Sequence, residues 1–283
     1  MVRNNLFYYS NYNGMRIYSL TLFSAVLLLE ISVLACSKTV LPNSNSTAAA
    51  SPDPTPGVNT NVGRRVTLES ADKTVIVGTF LESAKPNSPA VLLLHQFASD
   101  RHSYDDFAKQ LQAKGFGVLA IDGRGFGEST KTSDGKTVAV SRTDDAVKRM
   151  NADVGAAFEY LAKQKNVDPA RIAIVGASYG SSLAIIYTAE NPKVKAVAML
   201  SPGVNYFGNM PTEPAVRKYG DRALLLVAAD DDKESADSVK KLNAAGNDKY
   251  EVKIYEKGGH GTGLFKARVG IEDLLEHFLT KSL

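Results

Sequence analysis

Residues 171–180 read Arg171-Ile172-Ala173-Ile174-Val175-Gly176-Ala177-Ser178-Tyr179-Gly180, an apolar run that closes on Gly-x-Ser-x-Gly and passes straight into the helix-like stretch Ser178 to Glu190. A short continuous apolar run bounded by glycine is a strand buried on both faces. A serine on a tight strand-to-helix turn needs small neighbours because two backbones approach closely there, and the turn lifts its hydroxyl above the sheet where a base can reach it. Gly-x-Ser-x-Gly is short and built of common residues, so its weight comes from the strand before it and the helix after it.

The same alternation extends in both directions from this turn. Strands are expected at Arg65–Leu68, Val75–Leu81, Ala90–His95, Gly117–Asp122, Arg171–Gly176, Ala196–Leu200, Ala223–Ala228 and Glu251–Tyr255, the first two forming an antiparallel start. Helices are expected at Ser103–Lys114, Asp144–Gln164, Ser178–Glu190, Ser235–Ala245 and Ala267–Lys281. The second carries Ala146, Met150, Val154, Ala157, Phe158 and Leu161 on one stripe, and Val167-Asp168-Pro169 stops it before the next strand. Strands separated by amphipathic helices give a mostly parallel eight-stranded sheet covered on both faces.

Asp122-Gly123-Arg124-Gly125-Phe126-Gly127-Glu128-Ser129 follows the fourth strand. With this D-x-R-G-x-G-x-S turn and the serine turn in the expected order, residues 65–283 resemble the α/β-hydrolase family, closest to its small serine-esterase and dienelactone-hydrolase-like members. Dienelactone hydrolases use a cysteine nucleophile. The serine here favours ordinary ester chemistry. The resemblance implies Ser178 as nucleophile and His260, in Gly258-Gly259-His260-Gly261-Thr262-Gly263, as its base. The acid follows the seventh strand, where Asp230-Asp231-Asp232 offers three carboxylates; the family's Gly-x-x-Asp pattern favours Asp232, with Asp231 next. The amides of Tyr179 and, by resemblance, Phe97 would form the oxyanion hole. His95 resembles a structural His-Gly motif in which Gln96 takes the glycine's place, narrowing the pocket or putting a side-chain amide near the site. His102 and His277 read as surface or packing residues, and Asp122 belongs to the turn.

Ser201 to Arg222 is too short for a substantial helical lid. Pro202–Phe207 and Met210 are candidate pocket wall, with plain loop packing the alternative. These features imply a small or short-chain carboxylic ester as substrate and need neither metal nor cofactor. A peptidase of prolyl-oligopeptidase type and a non-catalytic binding protein on the same fold are the competing readings.

The 283-residue chain is 44% hydrophobic and 22% charged, an ordinary globular composition, and its net charge of +3 makes nucleic acid a poor partner. One cysteine, Cys36, excludes an internal disulfide and a cysteine zinc site. Leu20–Ala35 is an apolar run preceded by Arg3 and Arg16, shorter than the ~20 residues of a membrane span and laid out like a secretory signal. Val33-Leu34-Ala35-Cys36 resembles the lipobox of bacterial lipoproteins, which implies residues 1–35 as a signal peptide and Cys36 as the lipid-attachment site. Ser37 would then favour the outer membrane, with the enzyme on its periplasmic face. Plain secretion and a retained helix are the alternatives, and Met15 is a more compact start than Met1. Residues 36–62, rich in Ser, Asn, Thr, Ala and Pro, read as a flexible tether, and residues 63–283 as the hydrolase domain. Oligomeric state has no sequence signature here.

Overall fold

The computed structural model describes residues 63–283. The expected signal peptide (1–35), Cys36 and the tether (36–62) lie outside the described residues.

Eight strands form one sheet: β1 (Arg64–Glu69), β2 (Val75–Leu81), β3 (Ser88–Leu94), β4 (Gly117–Ile121), β5 (Val167–Ala177), β6 (Ala196–Leu200), β9 (Ala223–Ala229) and β10 (Glu251–Tyr255). A hairpin of two-residue strands, β7 (Asn205–Tyr206) and β8 (Met210–Pro211), stands apart. The order across the sheet is β1-β2-β4-β3-β5-β6-β9-β10, with β2 antiparallel to both neighbours and every later pairing parallel. The chain steps from β3 to β4 on one side and returns to β5 on the other, so β3 and β5 flank the point where the winding reverses. In such sheets ligands bind beyond the carboxyl ends of the strands at that reversal.

Period-two alternation accounts for burial on both faces. In β3, Leu92 and Leu94 enter the core beneath α2 (Asp144–Ala162) and α3 (Tyr179–Glu190), while Val91 and Leu93 enter the core beneath α1 (Asp105–Ala113) and α7 (Ile271–Ser282). Ile174 and Val175 divide in the same way in β5, as do Leu226 and Val227 in β9. The whole stripe expected on α2 is buried. Its start is fixed by Thr143, whose hydroxyl accepts the Ala146 N–H at 3.3 Å, with Asp144 and Asp145 in the first turn.

The remaining helices are α4 (Thr212–Tyr219), α5 (Lys233–Ala245) and α6 (Gly263–Lys266). Two boundaries and one element differ most from expectation. The last helix starts at Ile271 rather than Ala267, because Gly270 turns the chain left-handed at φ +78° and α6 takes up its own turn before it. β5 begins at Val167, where a register irregularity against Ser88 and Ala90 admits Asp168 and Pro169 at the strand start. Between β6 and β9 lies the unexpected α4, which packs on α3 and α5 and not across the strand ends.

The turn after β4 acts as a brace. The Asp122 carboxylate is fully buried; it accepts the N–H groups of Arg101 and Glu128, both at 2.8 Å, and pairs with the buried Arg101 guanidinium. Ser129 donates to the Asp122 carbonyl at 2.9 Å and accepts the Val77 N–H at 2.9 Å, tying the turn to β2. Gly127, at φ +50°, lies so close that a Cβ there would run into the Asp122 carboxylate. Arg124 spans Asp72 (2.7 Å) and Asp153 (2.6 Å). Hydrogen bonding to Arg124 holds the Asp72 carboxyl well below the ordinary aspartate range. Breaking a buried pair strands the other charge and costs about 3–5 kcal/mol. Asp122→Ala is therefore expected to lower the melting temperature by roughly 6–12 °C, whereas Glu128→Ala, at the half-exposed end of the network, lowers it by no more than a few degrees; thermal unfolding followed by circular dichroism checks both.

Candidate active site

Five strand ends supply the site. At the end of β5 the chain reverses through Ser178, which takes φ +53° and ψ −124°, a region L-residues rarely occupy. Two close approaches hold it there. A Cβ on Gly176 would run into the Gly180 carbonyl, and one on Gly180 would sit 2.5 Å from the His95 carbonyl oxygen and 2.6 Å from that of Leu94. Both glycines serve proximity, as expected from the motif. The Ser178 N–H donates to Leu200 O at 2.8 Å, which binds the turn to β6.

The Ser178 hydroxyl lies 2.7 Å from His260 Nε2, and His260 Nδ1 lies 2.6 Å from Asp232 Oδ2. Serine, histidine and aspartate, drawn from the ends of β5, β10 and β9, thus form one continuous hydrogen-bonded chain. Asp232 is mostly buried and His260 partly open to solvent. The other carboxylates of the acidic run do different things. Asp231 accepts Gly258 N–H at 3.1 Å and Gly259 N–H at 3.0 Å, and these bonds, Gly259's first, pull its carboxyl below the ordinary aspartate value. Asp230 is exposed. Geometry therefore selects Asp232 to face the imidazole and leaves Asp231 as a clamp on the loop that carries it.

The two residues expected to supply the oxyanion donors are neighbours in space. Tyr179 opens α3, so its N–H has no partner within the helix. Phe97 N–H has no acceptor among the described residues, and the rings of Phe97 and Tyr179 meet edge to face at 5.8 Å. His95 explains the direction of the Phe97 amide. His95 Nε2 accepts the Gly123 N–H at 2.8 Å, which leaves the proton on Nδ1, and Nδ1–H donates to Gln96 O at 2.7 Å. Burial lowers the His95 pKa and keeps the ring neutral. In a planar trans peptide the N–H points opposite to the carbonyl, so fixing Gln96 O toward the His95 ring turns the Phe97 N–H away from it. The structural reading of His95 holds; His102 is exposed beside Asp105, and His277 is exposed on α7.

Ser201 at the end of β6 was not legible as a site residue. It is buried, takes φ +49°, and its hydroxyl accepts the Gly261 N–H at 2.8 Å. The only signal was a small residue at a strand end. The expected pocket wall needs one correction: Met210 is fully buried in the core beneath α3, out of a substrate's reach. Tyr206 and Phe207 remain half-buried. Phe207 packs 5.1 Å from the Phe97 ring, and the Arg142 guanidinium lies over both rings at 4.3 and 4.7 Å. A cleft of about 630 Å³ lined by Phe158, Lys163, Pro169, Pro192 and Lys195 lies at the opposite ends of β5 and β6. It contains no nucleophile beside a base, so its size does not make it the reaction site.

Residues 85–219 match the family described as "Serine aminopeptidase, S33". Among solved structures, the Pyrococcus furiosus esterase Pf2001 superposes with a TM-score of 0.65 at 17% identity, covering 82% of this chain and 97% of that one. The chain has the α/β-hydrolase fold. The acylaminoacyl peptidase of Pyrococcus horikoshii shares the fold at a TM-score of 0.64 and 15% identity, covering 78% of this chain and 42% of that one. A protein of Mycobacterium tuberculosis (strain ATCC 25618 / H37Rv) without an assigned function is 32% identical over 155 residues, 54% of this chain and 50% of its own. The thiohydrolase apmlB of Arthrinium phaeospermum is 30% identical over 165 residues, 58% of this chain and 50% of its own. These alignments span about half the length of the curated relatives.

The Asp231 clamp has a definite pH signature. A carboxyl whose folded pKa is depressed contributes its stabilisation above its unfolded pKa and loses it as the pH falls through the folded value. In an NMR titration, the Gly258 and Gly259 amide resonances are expected to move together with a midpoint below the ordinary aspartate value of about 3.9, and to lose that transition in Asp231→Asn.

Proposed function

We propose that this hydrolase cleaves small or short-chain carboxylic esters through a covalent acyl-enzyme on Ser178. The observation that carries the proposal is the unbroken hydrogen-bonded chain from Ser178 through His260 to Asp232. In the forward step His260 Nε2 takes the hydroxyl proton as Ser178 Oγ bonds to the ester carbonyl carbon. Asp232 holds Nδ1–H and stabilises the imidazolium. The carbonyl oxygen, now negative, is received by the N–H groups of Tyr179 and Phe97 at the N-terminal end of α3, where the helix dipole adds to their effect. Collapse expels the alcohol with the proton carried by His260. A water then repeats the sequence on the acyl-serine, giving the acid and free Ser178.

The aromatic wall of Phe97 and Phe207 suits a compact apolar group, and α4 leaves the strand ends uncovered at the connection where larger lids are inserted. Thioesters present the same carbonyl to the same machinery, and the 30% identity to a thiohydrolase favours them as a second substrate class. The Cys36 reading places this activity at a membrane: the mature chain would begin at a lipid-bearing Cys36, with residues 36–62 as tether, outside the cytoplasm.

A fluorophosphonate probe is expected to label the wild type and not Ser178→Ala. Asp232→Asn should lower kcat about 10⁴-fold, as loss of the orienting acid does in such triads, while Asp231→Ala lowers it about tenfold or less. p-Nitrophenyl acetate and butyrate should turn over faster than the palmitate and than aminoacyl p-nitroanilides. A folded wild-type protein that takes no probe would overturn the reading. For the membrane, detergent-phase partitioning of the full chain is expected to be lost in Cys36→Ala.

A further inference from the structure

Gln96 touches both halves of the site. Its backbone carbonyl is the acceptor for His95 Nδ1–H, the bond that sets the direction of the Phe97 amide. Its side chain reaches across to the loop of His260: Oε1 accepts the Thr262 N–H at 2.7 Å and the Thr262 hydroxyl at 3.1 Å. Thr262 is buried and lies two residues beyond the imidazole. The crossing is tight. Gly261 stands at φ +61°, and a Cβ there would collide with Gln96 Oε1, so the path of the side chain and the glycine beside His260 require each other.

The His260 loop has three further side-chain anchors: Asp231 on Gly258 and Gly259, Asp232 on the ring itself, and Ser201 on Gly261. Those three come from β9 and β6. Among the described residues, Gln96 carries the side-chain hydrogen bonds that join the loop to the end of β3, the strand whose end supplies the Phe97 donor. A glycine at this position has the backbone carbonyl and no side chain to make the crossing.

We propose that Gln96 is a positioning residue for the acyl-transfer step, a strap that fixes the base-bearing loop relative to the oxyanion donor so that His260 Nε2 and the Phe97 N–H hold one geometry about the reacting carbonyl. The proposal rests on the hydrolase reading above. Small misplacements of reacting groups cost rate more than binding, so loss of the strap acts on kcat and leaves KM nearly unchanged.

Three measurements on the full chain test it: the second-order rate of fluorophosphonate labelling at Ser178, kcat and KM on p-nitrophenyl butyrate, and hydrogen exchange at the Thr262 amide with the Gly261 amide, bound to Ser201, as internal reference. Gln96→Gly is expected to slow labelling and kcat about tenfold, with KM within about twofold, and to speed Thr262 exchange relative to Gly261. Gln96→Glu keeps an acceptor oxygen at the same reach and is expected to restore both the protected Thr262 amide and most of the labelling rate. Should Gln96→Gly fail to fold, Thr262→Val removes the 3.1 Å bond from the other side and is expected to slow labelling about threefold. The strap is overturned if Gln96→Gly, or in its place Thr262→Val, labels at the wild-type rate, or if labelling is lost while Thr262 stays protected. If the folded wild type takes no probe, the hydrolase reading falls and the proposal with it; a labelled wild type with unchanged variants overturns the strap alone.

Discussion

The turn at Ser178 is a point where two backbones touch, and much of the molecule exists to keep them touching. With φ at +53°, the serine sits in a conformation costing of order 1–3 kcal/mol, which persists only where its surroundings over-determine it. The surroundings here are concrete. Gly176 admits the Gly180 carbonyl, Gly180 admits the carbonyls of Leu94 and His95, and Ser178 N–H is bonded to β6. Each of these requires β3, β5 and β6 to be in register and α3 to lie flat on them. That is the task of the two apolar layers, in which the inner strands are buried on both faces. Hydrophobic burial is non-directional. The backbone contacts at the turn convert it into a position for one oxygen atom.

The imidazole reaches that oxygen by a different means. His260 sits on a loop, and a loop has no ladder of its own to fix it. Four side chains from neighbouring strand ends take the place of a ladder, each supplying an oxygen acceptor: Asp231 and Ser201 hold the backbone on either side of the histidine, Gln96 holds it just beyond, and Asp232 holds the ring. Three of them bind main-chain N–H groups of residues 258–262, so the loop's donors are satisfied by the scaffold. The adjacent run Asp230-Asp231-Asp232 thereby divides between an exposed carboxylate, a backbone clamp and an imidazole partner.

Much of this was legible in the sequence, for reasons that differ by residue. The apolar runs of β3, β5 and β9 and the stripe on α2 announce their burial because periodicity reports which face is covered. Ser178 and the Asp122 turn are legible because glycine spacing encodes backbone approach, which is local. Asp232 could be preferred over Asp231 only by family pattern; distance to an imidazole 28 positions away is set by where β9 and β10 end. Ser201 and Gln96 were illegible as anchors since a serine at a strand end or a glutamine after a histidine has no local consequence, and their partners lie 60 and 166 residues away. Helix α4 hid differently. Its buried face, Thr212, Ala215, Val216 and Tyr219, has helical spacing, yet eight residues with Pro214 in the first turn resemble a loop. For Met210 the sequence leaves pocket wall and plain packing open, because an apolar residue in a short loop suits either, and the core beneath α3 claims it.

The two buried charge systems lie behind the site and are separate from it. Arg101 with Asp122, and Arg124 with Asp72 and Asp153, brace β2, β4 and α2; Arg101, Asp122, Arg124 and Asp153 are buried, so each depends on its partner, while Asp72 is part-exposed. At the front, Asp232 and His260 retain some exposure, and Ser178, His260 and Asp232 meet through side-chain hydrogen bonds. His95 stands at the border. Its Nε2 takes Gly123 N–H from the braced turn and its Nδ1–H goes to the Gln96 carbonyl, so one neutral ring carries the rigidity of the turn into the loop of Phe97 without bringing a charge there. A protonated ring could not accept from Gly123, and the burial that holds its pKa down is therefore part of the positioning. The chain of support runs from the Asp122 brace, through His95, to Gln96 and Phe97, and ends at the loop of His260. Each step passes through a backbone group, which is why an arrangement assembled from five strand ends holds one geometry about a single hydroxyl.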